Sequence, residues 1–211
     1  MSKIKDFTNI VVLSDFDGTI TTFDTNVRLF DIYGDKEFIN KNRQQYFAGE
    51  IDLKALSNMQ FDSIKLSKEK YLNYMLREIK LQEGFNSFYN NLKKHNIPFV
   101  IVSGGFSTGI EPFLEKHGFN DIPIYANRLI FDGDNAKIEH YEDKHFSHLI
   151  HNEDYIDFKV EILKDYKNRY EKVIFLGDGS TDIHVAGEVD YLFAKDYLEE
   201  YCIKNKIDYI S

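Results

Sequence analysis

The sequence predicts an α/β fold, a Rossmann-like doubly wound parallel sheet with a small block of helices inserted after its first strand. Three observations carry this. Short apolar runs rich in β-branched residues recur along the chain, each ending at a polar residue or glycine. Helical periodicity fills most of the intervals between them, and the stretch from about Thr22 to Leu81 has helical patterns but no strand. Apolar runs without alternation suit strands covered on both faces. Strand, helix, strand in repetition favours right-handed crossovers into one sheet.

Taken in order, the run NIVVL is the first strand and stops at Ser14-Asp15. Helices are expected over NVRLFDIYG, DKEFINKNRQQYFAG, DLKALSNMQFDSI and KEKYLNYMLREI, punctuated by Gly34, Gly49 and the start signal Ser67-Lys68-Glu69. A helix over EGFNSFYNNLKKHN leads to the strand IPFVIV, which ends at Ser103-Gly104-Gly105. FSTGIEPFLEKHG reads as a helix with Ser103 as its cap or as an anion contact, and IPIYA as a strand stopping at Asn127. DGDN reads as a turn between two strands. The helix FKVEILKDYKNRYE, the strand KVIFL before Gly177-Asp178 and a fifth run, YLFA before Lys195, complete the pattern. The expected division is a core domain of residues 1–21 and 82–211 and a helical domain of residues 22–81.

Composition narrows the function. The 211 residues are 43% hydrophobic and 15% aromatic, enough for a packed core. The net charge of −9 and the lack of a long Lys/Arg cluster argue against nucleic-acid binding. A single cysteine, Cys202, excludes an internal disulfide and a multi-cysteine zinc site. The start MSKIKDFTN has no apolar signal core and no run is long enough to span a membrane, so a cytoplasmic protein without membrane partners is expected, as a monomer or homodimer.

The chemistry gathers at strand ends. Asp15 and Asp17 follow the first strand, and Asp178 and Asp182 follow KVIFL. Carboxylates meeting around one cavity call for a cation, and oxygen ligands suit Mg²⁺. Asp15 and Asp178 are the expected side-chain ligands, with the Asp17 carbonyl a third, and Gly177 and Gly179 are expected to supply a sharp bend. The Ser103 hydroxyl with the Gly104 and Gly105 amides suits an anion. Lys159 lies near a helix start, where the dipole gives no reason for a cation, and so is expected to face the acids. His145, His148 and His151 follow an i, i+3, i+6 spacing that leaves one face of a helix, and they read as a polar loop rather than a metal site. Walker, dinucleotide and calcium-loop patterns are absent.

DFDGT, VSGG, Lys159 and GDGSTD, in that order, resemble the four motifs of the haloacid dehalogenase superfamily of phosphatases. The resemblance implies Asp15 as nucleophile forming an aspartyl-phosphate and Asp17 as the acid and base. It implies Ser103 and Lys159 as phosphoryl contacts, and Asp178 as Mg²⁺ ligand with Asp182 in support. Phe16 would lend its amide, with Gly18 and Thr19 forming the turn. The helices after DFDGT are similar to the cap of the phosphoserine-phosphatase-like subgroup. EGFNSFYNNLKKHNIPFVIVSGGF, IYANRLIFDGD and FAKDYLEEYC are similar to the methionine-salvage phosphatases, whose substrate is 2-hydroxy-3-keto-5-methylthiopentenyl-1-phosphate. The expected partner is a small phosphorylated metabolite: that enol phosphate, phosphoserine or another small monoester. The cap segment GEIDLKALSNMQ offers Glu50 and Lys54 but no Arg, unlike the phosphoserine enzymes. Phe23, Asp24, Asn26, Arg28 and Arg43 are expected leaving-group contacts. In a different class, a receiver-like protein with a long-lived aspartyl-phosphate would also use the acids and a lysine, without a cap.

Overall fold

A computed structural model describes residues 9–146 and 157–211. Among these, six strands form one sheet: β1 (Ile10–Ser14), β2 (Phe99–Phe106), β3 (Ile124–Asp132), β4 (Asn135–Glu139), β5 (Lys172–Gly177) and β6 (Tyr191–Ala194). The order across the sheet is β4-β3-β2-β1-β5-β6, parallel except for β4 on the edge. β1 therefore lies between β2 and β5, and the chain leaves it to one side and later returns on the other. The crevice beyond its carboxyl end is the switch point at which open α/β sheets bind ligands.

Side-chain alternation explains the uninterrupted apolar runs. Val12, Phe99 and Ile101 enter one buried cluster, while Val11, Leu13, Val100 and Val102 enter a second on the opposite face. The second cluster is closed by helices α8 (Phe158–Lys167), α9 (Ile183–Ala186) and α10 (Asp196–Asn205), through Ile162, Leu163, Val185 and Leu198. The first is closed by α5 (Phe85–Lys94) and α6 (Ser107–Lys116). It continues into four helices between β1 and α5, namely α1 (Thr25–Tyr33), α2 (Lys36–Phe47), α3 (Leu53–Asp62) and α4 (Lys68–Arg77). Leu29, Phe30, Ile39, Phe61 and Met75 from these helices share that cluster with Phe16, Ile110 and Phe113. Asp24, Asp35, Asp52 and Ser67 start the four helices by accepting bonds from backbone amides of the first turn. α7 (Tyr141–His145) is a single short turn after β4.

Several local readings change. β2 does not end at Val102 but runs irregularly through Ser103-Gly104-Gly105 to Phe106, with a register shift against β3 there. Ser103 is not the cap of α6; Phe106 holds that position without a side-chain bond. β3 passes Asn127 and reaches Asp132, because it pairs with β4 through the DGDN turn. His145 is exposed and stacks on Tyr141 with ring centroids 4.2 Å apart, while His148 and His151 lie outside the described residues. Among the described residues, no helix is long and apolar enough to cross a membrane.

Helices α4 and α6 approach closely at Gly109. A Cβ there would stand 2.5 Å from the Tyr71 hydroxyl and 2.9 Å from Met75 Cγ. Gly109→Ala would favour the helix by propensity alone, yet overpacking of this seam is expected to win. The variant should lose about 1–3 kcal/mol of unfolding free energy, read from the urea midpoint at unchanged slope.

Candidate active site

Asp15 leaves β1 with its amide bonded to the Leu176 carbonyl at 2.8 Å, so β5 fixes where the acid begins. Its Oδ1 accepts from the Phe16 amide at 2.7 Å, and its Oδ2 lies 3.2 Å from Lys159 Nζ. Lys159 enters from the first turn of α8, after the N-cap Asp157, and is 2% exposed. Its ammonium also donates to Asp182 Oδ1 at 2.7 Å and Thr181 Oγ1 at 3.0 Å. Asp182, fully buried, accepts on Oδ2 from the amides of Asp178 at 3.1 Å and Gly179 at 3.0 Å, which closes the GDGSTD loop on itself.

Asp178 is placed by the opposite loop. The Thr19 hydroxyl donates to its Oδ1 at 2.6 Å. Gly18 turns there with φ of 79°, and a Cβ on it would stand 2.1 Å from Asp178 Oδ2. The bend expected of Gly177 and Gly179 is not of that kind. Neither has a positive φ, and Gly179 is extended at φ −108°. Gly177 supplies room instead, since its Cβ would meet Asp182 Oδ2 at 2.7 Å. Asp15, Asp178 and Asp182 each bring a carboxylate oxygen within 4.8 Å of the others. The Asp17 carboxylate is not in that cluster.

Asp17 is held from two sides. Its Oδ1 accepts from the Thr25 hydroxyl and its Oδ2 from Ser103 Oγ at 3.2 Å. The Thr25 carbonyl in turn accepts from the Tyr74 hydroxyl at 2.6 Å, which ties α4 to α1 behind the acid. Ser103 is fully buried and accepts from the Gly105 amide at 2.9 Å, so that amide faces the serine rather than an open anion cradle. The absent Cβ of Gly105 makes space for Asp17 Oδ2, which would stand 2.1 Å from it. Gly104 is fixed through its carbonyl, which accepts from Asn127 Nδ2 at 2.8 Å.

The acids feel their burial. Burial, then Asp182, lifts Asp15 well above the ordinary carboxylate range, against the pull of Lys159. Burial, then Asp24, lifts Asp17 to about 6. Burial also lifts Asp178 to about 7, while the Thr19 bond opposes it. Burial alone would lower Lys159, but attraction to Asp15 and Asp182 outweighs it and the ammonium is held charged.

Asp15, Asp17 and Asp178 form the floor of a cavity of about 330 Å³ under the inserted helices. Phe30, Phe61 and Phe106 make one wall, packed edge to face with centroids 5.0 and 5.1 Å apart. Of the expected leaving-group contacts, Asp24, Asn26 and Arg43 line it. Phe23 and Arg28 do not, the guanidinium of Arg28 lying 5.8 Å from the Phe23 ring centroid. Lys54 lines a smaller neighbouring cavity beside Lys159 and His140. GEIDLKALSNMQ has no arginine, and the arginine that lines the cavity, Arg43, comes from α2. Thr25, Tyr74, Thr181 and Gln60 belong to the site and were not legible. A threonine eight residues after Asp17 looks like any helix start.

Residues 12–187 match the family model described as haloacid dehalogenase-like hydrolase. A 2-hydroxy-3-keto-5-methylthiopentenyl-1-phosphate phosphatase of Bacillus pumilus (strain SAFR-032) is 29% identical, over 91% of this chain and 81% of that protein. Pdp3-interacting factor 1 of Schizosaccharomyces pombe is 30% identical, over 95% of this chain and 89% of that one. A solved phosphoserine phosphatase, captured as an analogue of its phospho-aspartyl intermediate, superposes with a TM-score of 0.70. It is 20% identical, over 97% of this chain and 93% of that one, a likeness of fold. With DFDGT and GDGSTD meeting at the switch point of such a sheet and the family model spanning both, the chain belongs to the haloacid dehalogenase-like hydrolases.

Proposed function

We propose that this chain is a Mg²⁺-dependent phosphomonoesterase that works through an aspartyl-phosphate on Asp15. One observation carries the reading: a buried lysine bridges Asp15 to Asp182 directly beneath a cavity whose floor also presents Asp17 and Asp178. The donor set supports the metal, since the cluster is all oxygen and suits a hard divalent ion. Asp15 and Asp178 would hold it, with the Asp17 carbonyl. When bound, it would offset negative charge on the phosphoryl oxygens and the acids.

The chain's own groups then have distinct tasks. An Asp15 carboxylate oxygen attacks phosphorus and the ester P–O bond breaks. Asp17, poised near 6 by burial, gives its proton to the departing alkoxide. In the second half Asp17 takes a proton from water, which attacks phosphorus, releases inorganic phosphate and restores the Asp15 carboxylate. Lys159 draws Asp15 toward its ionised form and orients it. Residues 22–81 act as a cap domain over the cavity, excluding water and reading the leaving group. The relatives' names and the aromatic wall favour a small phosphorylated metabolite with an apolar portion, the methionine-salvage enol phosphate among them. The cap, foreign to receiver domains, weighs against a signalling phospho-aspartate.

With p-nitrophenyl phosphate and Mg²⁺, wild-type protein is expected to release phosphate. Asp15→Asn should lower kcat at least about a thousandfold, and chelation of the metal should silence the wild type. Activity surviving either change would sink the mechanism.

Linkage gives a second outcome. Burial raises Asp17 and Asp178 from 3.8 to about 6 and about 7, so the metal-free folded chain binds more protons there than the unfolded one. Stability from this source is complete below 3.8 and is lost as the pH rises through about 6 and about 7. Metal-free protein should show a lower Tm at pH 8 than at pH 5, and Mg²⁺ should raise Tm more at pH 8. A metal-free Tm that climbs from pH 5 to 8 would refute this assignment.

A further inference from the structure

The hydroxyl of Thr25 has no task in its own helix. Asp24 caps α1 by accepting from the Asn26 and Val27 amides, both at 2.8 Å. Thr25, 3% exposed, donates instead to Asp17 Oδ1, eight residues back in the chain. Its place is set from behind, where its carbonyl accepts from the Tyr74 hydroxyl at 2.6 Å. Tyr74 is buried on α4, so the Thr25 hydroxyl is held at Asp17 by the seating of α1 against α4. A β-branched side chain has few rotamers, and fixing its backbone therefore also decides where its hydroxyl points.

The carboxyl group that it meets has no such stiffness. The terminal torsion of an aspartate is broad and two-fold, and an acid must face the leaving-group oxygen within hydrogen-bond reach to act. From the sheet, Asp17 receives only the Ser103 hydroxyl on Oδ2, at 3.2 Å, which is long for a bond between two oxygens. Thr25 is the firmer holder, and it belongs to the inserted helices.

We propose that Thr25 is a positioning residue that aims the Asp17 carboxyl group at the leaving group, so that proton transfer depends on the seating of α1 and α4. The inference rests on the phosphomonoesterase reading and adds a control over it: the insertion completes the acid by packing, without touching the ester. Thr25 keeps its own proton throughout. The proton that moves is that of Asp17, which passes to the leaving oxygen as the ester P–O bond breaks.

The test uses p-nitrophenyl, p-chlorophenyl and phenyl phosphate in Mg²⁺, esters of similar shape whose phenolates need increasing help from an acid. The readout is kcat/KM, which covers only the steps up to departure of the phenolate. With Asp17 aimed, wild type is expected to depend only weakly on the acidity of the phenol. Thr25→Val keeps the branching and removes the donor. It should lower kcat/KM at least about thirtyfold on phenyl phosphate but only about threefold on p-nitrophenyl phosphate. Thr25→Ser should restore the weak dependence, and Tyr74→Phe, which frees the Thr25 carbonyl, should steepen it to an intermediate degree. If Thr25→Val does not fold, the Tyr74→Phe slope decides alone. Equal losses along the series would make Thr25 structural and overturn the inference, as would a serine variant as steep as the valine one, or a Tyr74→Phe slope equal to that of wild type. Each of these leaves the phosphatase reading standing. Wild type inert toward all three esters would overturn that reading and the inference with it.

Discussion

The ammonium of Lys159, held between Asp15 and Asp182 with almost no access to solvent, is the contact on which the rest of the site depends. Burying one carboxylate is unfavourable and burying several together is worse, so the acids of two loops can share the floor of one crevice only with a cation among them. Removing a single member of such a buried pair typically costs about 3–5 kcal/mol. The lysine in turn is held by geometry rather than by chance of reach. Its stem rises from the first turn of α8, and Asp182 receives it with one oxygen while the other oxygen locks the amides of Asp178 and Gly179. Charge balance and loop shape are thus one structure.

From that centre, order spreads outward through hydroxyls. Thr19 carries it from the first loop to Asp178, Ser103 from the irregular end of β2 to Asp17, and Thr25 with Tyr74 from the inserted helices to the same acid. Each acid above the lysine therefore has a neutral donor of its own. The donors trim the effect of burial without cancelling it, which leaves Asp17 and Asp178 near the pH range in which protons move readily.

Much of this was legible in one dimension. An apolar run that ends in an acid is visible as a string, and DFDGT, VSGG, Lys159 and GDGSTD announced both the sheet and the floor of the site. What escaped was whatever depends on the folding back of the insertion. Gln60 lines the cavity because α3 folds back until Phe61 packs on Phe106 of β2, and no periodicity states which turn of a helix overhangs a distant loop. Gly177 differs from its reading for a related reason: a glycine beside an acid suggests a bend, whereas here it clears space for a carboxylate five residues on in the chain. The continuation of β2 past Ser103 was hidden because a glycine pair reads as a stop, while the sheet tolerates it as a shift in register.

The apolar cluster that runs without a break from Phe16, Ile110 and Phe113 into Leu29, Phe30 and Phe61 bears on how such a protein can diversify. The inserted helices are not a detachable module. Grafting a foreign insertion onto this sheet would uncover the face that Phe16 and Phe113 now share with it, and burial of that face is worth several kcal/mol at about 25 cal/mol per Å². Two of the aromatic residues in this cluster, Phe30 and Phe61, are also walls of the cavity. Inheritance of new selectivity along this lineage is then constrained to substitutions at the cavity lining that spare the shared cluster, with stability and taste in leaving group drawing on the same side chains.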